Sequence, residues 1–242
     1  MISSMNFAPA LILQSKGGDP SAKFPLDLKV FAPGSDKRAI YALRYRAFIE
    51  NGVITPREDK LFFDEYDDLD TSCSLGAFQG SSCVGSFRLT FGKGRPGHHT
   101  MPCQSIFTEV GALEGQGFDK LVEFGRMVVD PALTNTSFRT TLYASLVRAG
   151  LIVAEAGGVD FGLISVHPNL VRFYEMICGF RSMARAETYP GINAPAVLLG
   201  RSFKALDAKR SKQNPFFRIS PLEISSARAL VFPQTARELE MA

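Results

Sequence analysis

Apolar residues first recur at helical intervals between Ser35, a residue type that caps helix N-termini, and Asn51. Ile40, Leu43, Ala47 and Phe48 fall on one face there, and Gly52 follows where a helix would end. Arg44 and Phe48, four residues apart, share a side of that helix. Ahead of it, the chain through about Pro25 mixes Gly, Ser, Pro and Lys without a sustained period. This predicts a flexible arm over residues 1–27 and a domain that begins near Leu28.

Beyond an acidic loop, Phe62 to Asp70, the period changes. Ser74 to Phe78 and Cys83 to Phe91 flank the turn-like Gln-Gly-Ser-Ser and read as a β-hairpin. In its second strand, alternation sends Cys83, Phe87, Leu89 and Phe91 to one sheet face and Val84, Ser86, Arg88 and Thr90 to the other. Leu121 to Val129 is a further strand, closed by Asp130-Pro131. Ser137 to Ala156 carries Leu142, Leu146, Ala149, Val153 and Ala156 at helical spacing before Gly157-Gly158, and is the longest predicted helix. A strand from Val159 to Val166, a helix from Pro168 to Ile177 ahead of Gly179, and a strand from Ala196 to Phe203 complete the pattern. There is no internal repeat, and residues 204–242 turn polar and carry no placed element. The reading is one mixed α/β domain over residues 28–203 with a C-terminal extension.

Composition sets bounds on that domain. A chain of 242 residues that is 45% hydrophobic and 21% charged can bury one sizeable core. It has no run of about 18 apolar residues, and the short run Ala8 to Leu13 lacks the flanks of a signal peptide. The expectation is a cytoplasmic protein without stable membrane insertion. A formal charge of +3 without a basic stripe interleaved with aromatics argues against nucleic acid as a partner. The densest basic cluster, Lys204 to Lys212, reads either as a solvated tail or as a docking patch. Cys73, Cys83, Cys103 and Cys178 are scattered, so neither a disulfide framework nor a metal site is expected. The Asp64 to Asp70 run lacks the spacing of a calcium loop, and adjacent His98 and His99 point apart. His167, before Pro168, reads as a capping or packing residue.

The segment Val128-Val129-Asp130-Pro131, a long helix, a strand, and Asn169-Leu170-Val171-Arg172-Phe173-Tyr174-Glu175 running into Gly179-Phe180 together resemble the GNAT acyltransferase superfamily. The resemblance implies a twisted mixed sheet flanked by helices, with a V-shaped splay between central strands. It also implies that Val128, Val129 and Asn169 bind the acyl donor and that Tyr174 protonates the departing sulfur; a tyrosine that merely packs is the other reading. A second resemblance, over Leu28 to Phe203, is to the acyl-homoserine-lactone synthases and their relatives the N-acyl amino acid synthases. Arg44 to Phe48, Asp64 to Asp67, Gly85 to Leu89 and Glu123 to Arg126 carry it, in that order. The C-terminal motif and the long arm before Arg44 favour the N-acyl amino acid synthases, and so an amino acid as acceptor rather than S-adenosylmethionine. Lactone synthesis, ornithine N-acylation and an acyl-binding module without turnover are the alternatives.

The donor has a physical argument of its own. Acetyltransferases that use coenzyme A cradle its pyrophosphate on glycine-rich amides at the start of the long helix. Here that stretch, Thr134 to Thr141, contains no glycine and includes Phe138 and several threonines. The phosphopantetheine of an acyl carrier protein presents one phosphate and needs a looser loop, which favours carrier protein as partner. Arg139, beside Thr140, either pairs with that phosphate or is an ordinary exposed arginine. No cofactor is expected beyond the donor's own acyl-phosphopantetheine.

Amide formation from a thioester requires a neutral amine, an oxyanion site and a proton for the thiolate. Glu123 is the candidate base. Regular alternation would separate Glu123 from Arg126, but a bulge at Gly125 would return both to one cleft and free a backbone N–H for the oxyanion. A structural salt bridge is the other reading for this pair. Arg44, Phe48, Asp64, Asp67 and Arg88 are candidate acceptor-binding residues, the aspartates for the ammonium and the arginines for the carboxylate. Equally, the charged four form an internal network that fixes the acidic loop.

Overall fold

The computed structural model describes residues 2–5, 26–97, 99–186, 188–189, 191–203 and 218–232. Its strands are β1 (Ile2–Met5), β2 (Asp27–Phe31), β3 (Ser72–Gln79), β4 (Ser82–Lys93), β5 (Lys120–Val129), β6 (Phe161–Val166), β7 (Arg181–Ala186) and β8 (Ala196–Ser202). They form one sheet in the order β1-β2-β3-β4-β5-β6-β8-β7. Every neighbouring pair is antiparallel except β5 and β6, which run parallel and are joined by the long helix α2 (Thr136–Ala156). A parallel pair needs such a crossover, and this one places a helix on one face of the sheet.

α2 buries Leu142, Leu146 and Ala149 against Phe87, Leu89, Val122 and Phe124. The opposite face is covered near β4 by α1 (Arg38–Glu50), whose Ile40, Leu43 and Ala47 pack with Phe31, Phe78, Cys83 and Val128. Cys83 therefore lies on the other face from Phe87 and Leu89, contrary to simple alternation. A register shift puts Phe78 opposite Cys83 and Ala77 opposite Gly85, and the extra residue reverses the side on which Cys83 points. All four cysteines are free and buried.

Ser35 does not cap α1. The helix starts three residues later, where Asp36 Oδ1 accepts the Arg38 N–H at 3.0 Å. The predicted helix from Pro168 is composite: a 3₁₀ turn (Pro168–Leu170), a short α3 (Val171–Phe173) and a π-helical turn (Tyr174–Cys178). Gly179 then ends it at φ 73°.

Elements the sequence did not reveal are β1, β2, the 3₁₀ turn Glu65–Asp67, the 3₁₀ turns between Pro102 and Gln116, β7 and α4 (Pro221–Val231). β1 falls inside the stretch read as an arm, of which residues 6–25 lie outside the described residues. α4, capped by Ser220 and Glu223, docks on α2 through Arg148 Nη1 and Glu223 Oε1 at 2.6 Å. The rest of the extension, 204–217 and 233–242, is outside the described residues, and with it the basic cluster. No helix among the described residues is long and apolar enough to cross a membrane.

Candidate active site

The sheet opens in its middle. Parallel pairing of β5 with β6 ends at Phe124 and Ile164, whereas β5 keeps its partner β4 to Val129 and β6 keeps β8 to Val166. Past Phe124 the two central strands diverge, and the edge of β5 facing β6, including Val128 and Val129, has no strand partner among the described residues. At the same place β5 bulges. Gly125 pairs with Arg88 and Val128 with Ser86, so Arg126 and Met127 together oppose Phe87. The extra residue thus follows Gly125 rather than coinciding with it. Arg126 carries φ 56°, a left-handed conformation that non-glycine residues adopt rarely and that clusters at functional sites. A Cβ built on Gly125 meets no atom within 4 Å, so free space lies directly beside the bulge.

Glu123 stands at the edge of this space, on the α1 face, and is 2% exposed. Its Oε2 accepts the Cys103 N–H at 2.9 Å and its Oε1 accepts the Tyr189 hydroxyl at 2.7 Å. The Cys103 amide is delivered by the 3₁₀ turn Pro102–Ser105, where Gln104 Oε1 accepts the N–H groups of Thr100 and Met101 at 3.0 Å each. Burial, and then the Glu123 charge, hold the Tyr189 phenol well above its ordinary range, so it remains a donor. The Arg126 guanidinium lies 5.8 Å from the Tyr189 ring and 5.0 Å from that of Phe62. Both Glu123 and Arg126 contact Tyr189. The bulge has brought them to one side of the sheet.

The acidic loop closes that side as a compact turn. Asp64 Oδ1 accepts the Tyr66 N–H and Asp67 Oδ2 accepts the Asp64 N–H, forming a capping box around Glu65–Asp67. Three guanidiniums share its two carboxylates. Arg44 Nη1 is 2.7 Å from Asp67 Oδ1, and Arg88 Nη1 is 3.0 Å from Asp67 Oδ2. Arg88 also grips Asp64 with both terminal nitrogens, and Arg126 Nη2 reaches Asp64 Oδ2 at 2.7 Å. Burial opposes ionisation of Asp64, but Arg88 and Arg126 outweigh it and hold the carboxyl well below the usual carboxylate range. Burial pulls the Arg44 pKa down, with Asp67 opposing. Arg44, Asp64, Asp67 and Arg88 thus pair with one another as an internal network. Arg44, Asp67 and Arg88 are buried within it, while the Asp64 side chain is 16% exposed and is bound by Arg126 at the bulge. Phe48 packs edge-on against Phe62, 4.9 Å between centroids, behind the same turn.

On the opposite face, Tyr174 sits at the splay from the other side. Its hydroxyl hydrogen-bonds Tyr143 of α2 and lies 3.9 Å from Met127 Sδ. Burial raises its pKa to about 12, partly offset by the Tyr143 bond, so the phenol is neutral and can give a proton. At the start of α2, the Asn135 side chain accepts the Phe138 N–H at 2.9 Å. Arg139 and Thr140 are exposed there, the Thr140 hydroxyl donating to Thr136 O at 2.9 Å. Asn169 is exposed, and its N–H donates to His167 Nδ1 at 3.3 Å, so His167 caps its turn.

Tyr189, the Cys103 N–H, Tyr143 and Lys37 were not signalled by the sequence. Lys37 is buried and donates to Asp67 O at 2.5 Å and Asp68 Oδ1 at 2.9 Å, locking the acidic turn to α1. A lone lysine before a helix carries no such message, and a backbone amide has no sequence signature.

A family model described as N-acyl amino acid synthase FeeM matches residues 39–202. Among solved structures, the fold is similar to that of FeeM, an N-acyl amino acid synthase from uncultured soil microbes, with TM-score 0.60 and 21% identity over 74% of this chain and 92% of that one. It is similar to the AHL synthase LasI, with TM-score 0.53 and 15% identity over 73% and 89%. An acyl-CoA N-acyltransferase from Pseudomonas aeruginosa matches with TM-score 0.50 and 19% identity over 74% and 100%. No curated protein matches the chain.

Proposed function

The chain belongs to the N-acyl amino acid synthase FeeM family, and on that premise we propose that it transfers a long-chain fatty acyl group from an acyl carrier protein thioester to the α-amino group of an amino acid. The observation that carries this reading is the open space beside Gly125, with Glu123 fixed at its edge and the strands diverging next to it.

The pantetheine arm enters between β5 and β6, along the unpartnered edge near Val128 and Val129. The acceptor enters from the α1 face. An amino acid is mostly an ammonium at neutral pH, and Glu123 takes a proton from it, directly or through one water. The free amine attacks the thioester carbonyl, forming the C–N bond and placing negative charge on the carbonyl oxygen. A backbone N–H at the bulge stabilises that oxyanion. Collapse breaks the C–S bond, Tyr174 protonates the thiolate, and the amide nitrogen gives up its second proton to solvent. The products are an N-acyl amino acid and a free carrier thiol. Arg126 binds Asp64 with Nε and Nη2, which leaves Nη1 for the acceptor carboxylate. The buried Arg44, Arg88 and Asp67 act by holding the acidic turn in place.

The test supplies a pool of acyl carrier thioesters with a pool of amino acids, and separately with S-adenosylmethionine, and weighs the products. An N-acyl amino acid, lost in Glu123→Gln, is the expected result. A homoserine lactone, or no product with any acceptor, overturns the reading.

A further inference from the structure

Five large apolar side chains stand exposed among the described residues. Three of them, Leu170, Phe173 and Met176, sit on the short segment from Pro168 to Cys178. They are three residues apart, a spacing that keeps neighbours on one side of a helical segment. Clustered exposed apolar surface of this kind marks a place where something docks. The segment also carries Tyr174, and so borders the splay.

Cations that pair with no carboxylate among the described residues surround this ridge. β5 and β6 are parallel and β8 and β7 follow antiparallel in turn, so the end of β6, the end of β7 and the starts of α2 and α3 all gather at the end of the sheet where the strands diverge. Arg139 on α2, Arg172 on α3 and Arg185 on β7 are exposed there. Tyr143, one turn after Arg139, contacts Phe173 edge-on at 5.5 Å, which joins the α2 and α3 parts into one surface. Arg172 and Arg185 both line a groove of about 390 Å³ whose other lining residues include Val171, Met183, Ala184 and Val197. Of the nearby acids among the described residues, Glu175 Oε1 accepts from Ser182 at 3.1 Å, and Asp130 pairs with Arg46 at 2.9 Å.

We infer that this end of the sheet is the docking face for an acidic carrier protein that brings the acyl-pantetheine. Its carboxylates meet Arg139, Arg172 and Arg185, its apolar side chains cover Leu170, Phe173 and Met176, and its pantetheine passes directly between β5 and β6. The inference rests on the proposed carrier-borne donor.

The test compares two donors bearing the same acyl group, one on the carrier protein and one on free pantetheine. In Arg172→Glu/Arg185→Glu, kcat/KM with the carrier donor falls by about tenfold or more while turnover of the pantetheine donor holds. Added salt reproduces the split in the unaltered protein. Equal loss with both donors, or no loss with either, overturns the docking face alone. An unaltered protein that uses acyl-pantetheine but refuses the carrier thioester overturns the donor reading itself. A Met176→Ser variant that keeps carrier turnover but no longer sediments with phosphatidylglycerol vesicles assigns the ridge to a lipid surface instead.

Discussion

The Tyr189 hydroxyl donates to Glu123 Oε1 at 2.7 Å while its ring lies under the Arg126 guanidinium, so one side chain sets the position of both charged groups of the bulged strand. A hydrogen bond to a buried carboxylate contributes about 1.5–3 kcal/mol, equivalent to about tenfold to a hundredfold in rate if it orients the base. Tyr189→Phe keeps the ring and removes the bond. Its kcat should fall by about that factor, and its melting temperature by several degrees, because the same bond contributes to folding. An unchanged kcat would make Tyr189 a packing residue only.

Gly125 tests whether the space beside it holds substrate. A Cβ there meets nothing within 4 Å, and its backbone is not in the left-handed region. Gly125→Val should therefore fold with a stability change of no more than about 1 kcal/mol, since β-branched residues suit strands. It should nevertheless lose most of its turnover, because the valine methyls occupy the cleft. Chemical unfolding and product mass together read the two effects, and retained turnover would show that the acceptor lies elsewhere.

Two arginines two residues apart on α1, and so on different faces of it, separate buried from exposed ion pairs. Arg44 and its partner Asp67 have fully buried side chains, whereas the Arg46 side chain is 51% exposed beside Asp130. Arg44→Met leaves Asp67 with a weakened counter-charge in a dry site and should cost about 3–5 kcal/mol. Arg46→Met should cost about 0–1 kcal/mol. Urea midpoints measure both, and similar losses would mean that the acidic turn relaxes to admit water.

What the sequence made legible follows from where its periodicity is strong. α1 buries one helical face, and α2 and the β3–β4–β5 meander carry regularly spaced apolar residues, so Leu142, Leu146, Phe87 and Leu89 declare themselves by spacing. β7 does not, because an edge strand with Arg181, Ser182 and Arg185 facing solvent has no apolar alternation to read. Tyr189 sits in a loop 66 residues after Glu123, and the turn that supplies the Cys103 N–H is too short to have a period. The bulge was legible in kind from Gly125 between two charged residues. Its position one residue later was not, because it depends on Arg126 adopting a left-handed conformation that its side chain does not favour.

Asp64 makes the ion network visible to pH. Its folded pKa lies below the ordinary carboxylate value because Arg88 and Arg126 outweigh its burial. A depressed folded pKa means that the unfolded chain binds the proton first. The resulting stability is fully present above the unfolded pKa of about 4 and is lost as pH falls below it toward the folded value. Asp64→Asn removes this contribution at every pH. The difference in unfolding free energy between the unaltered protein and the variant should then be flat from neutral pH down to about pH 5 and close progressively in more acidic solution. Urea unfolding at a series of pH values checks it. A difference that instead stayed flat on acidification would mean that the two arginines bind the neutral acid as well as the carboxylate, and that the turn is held by its capping box rather than by charge.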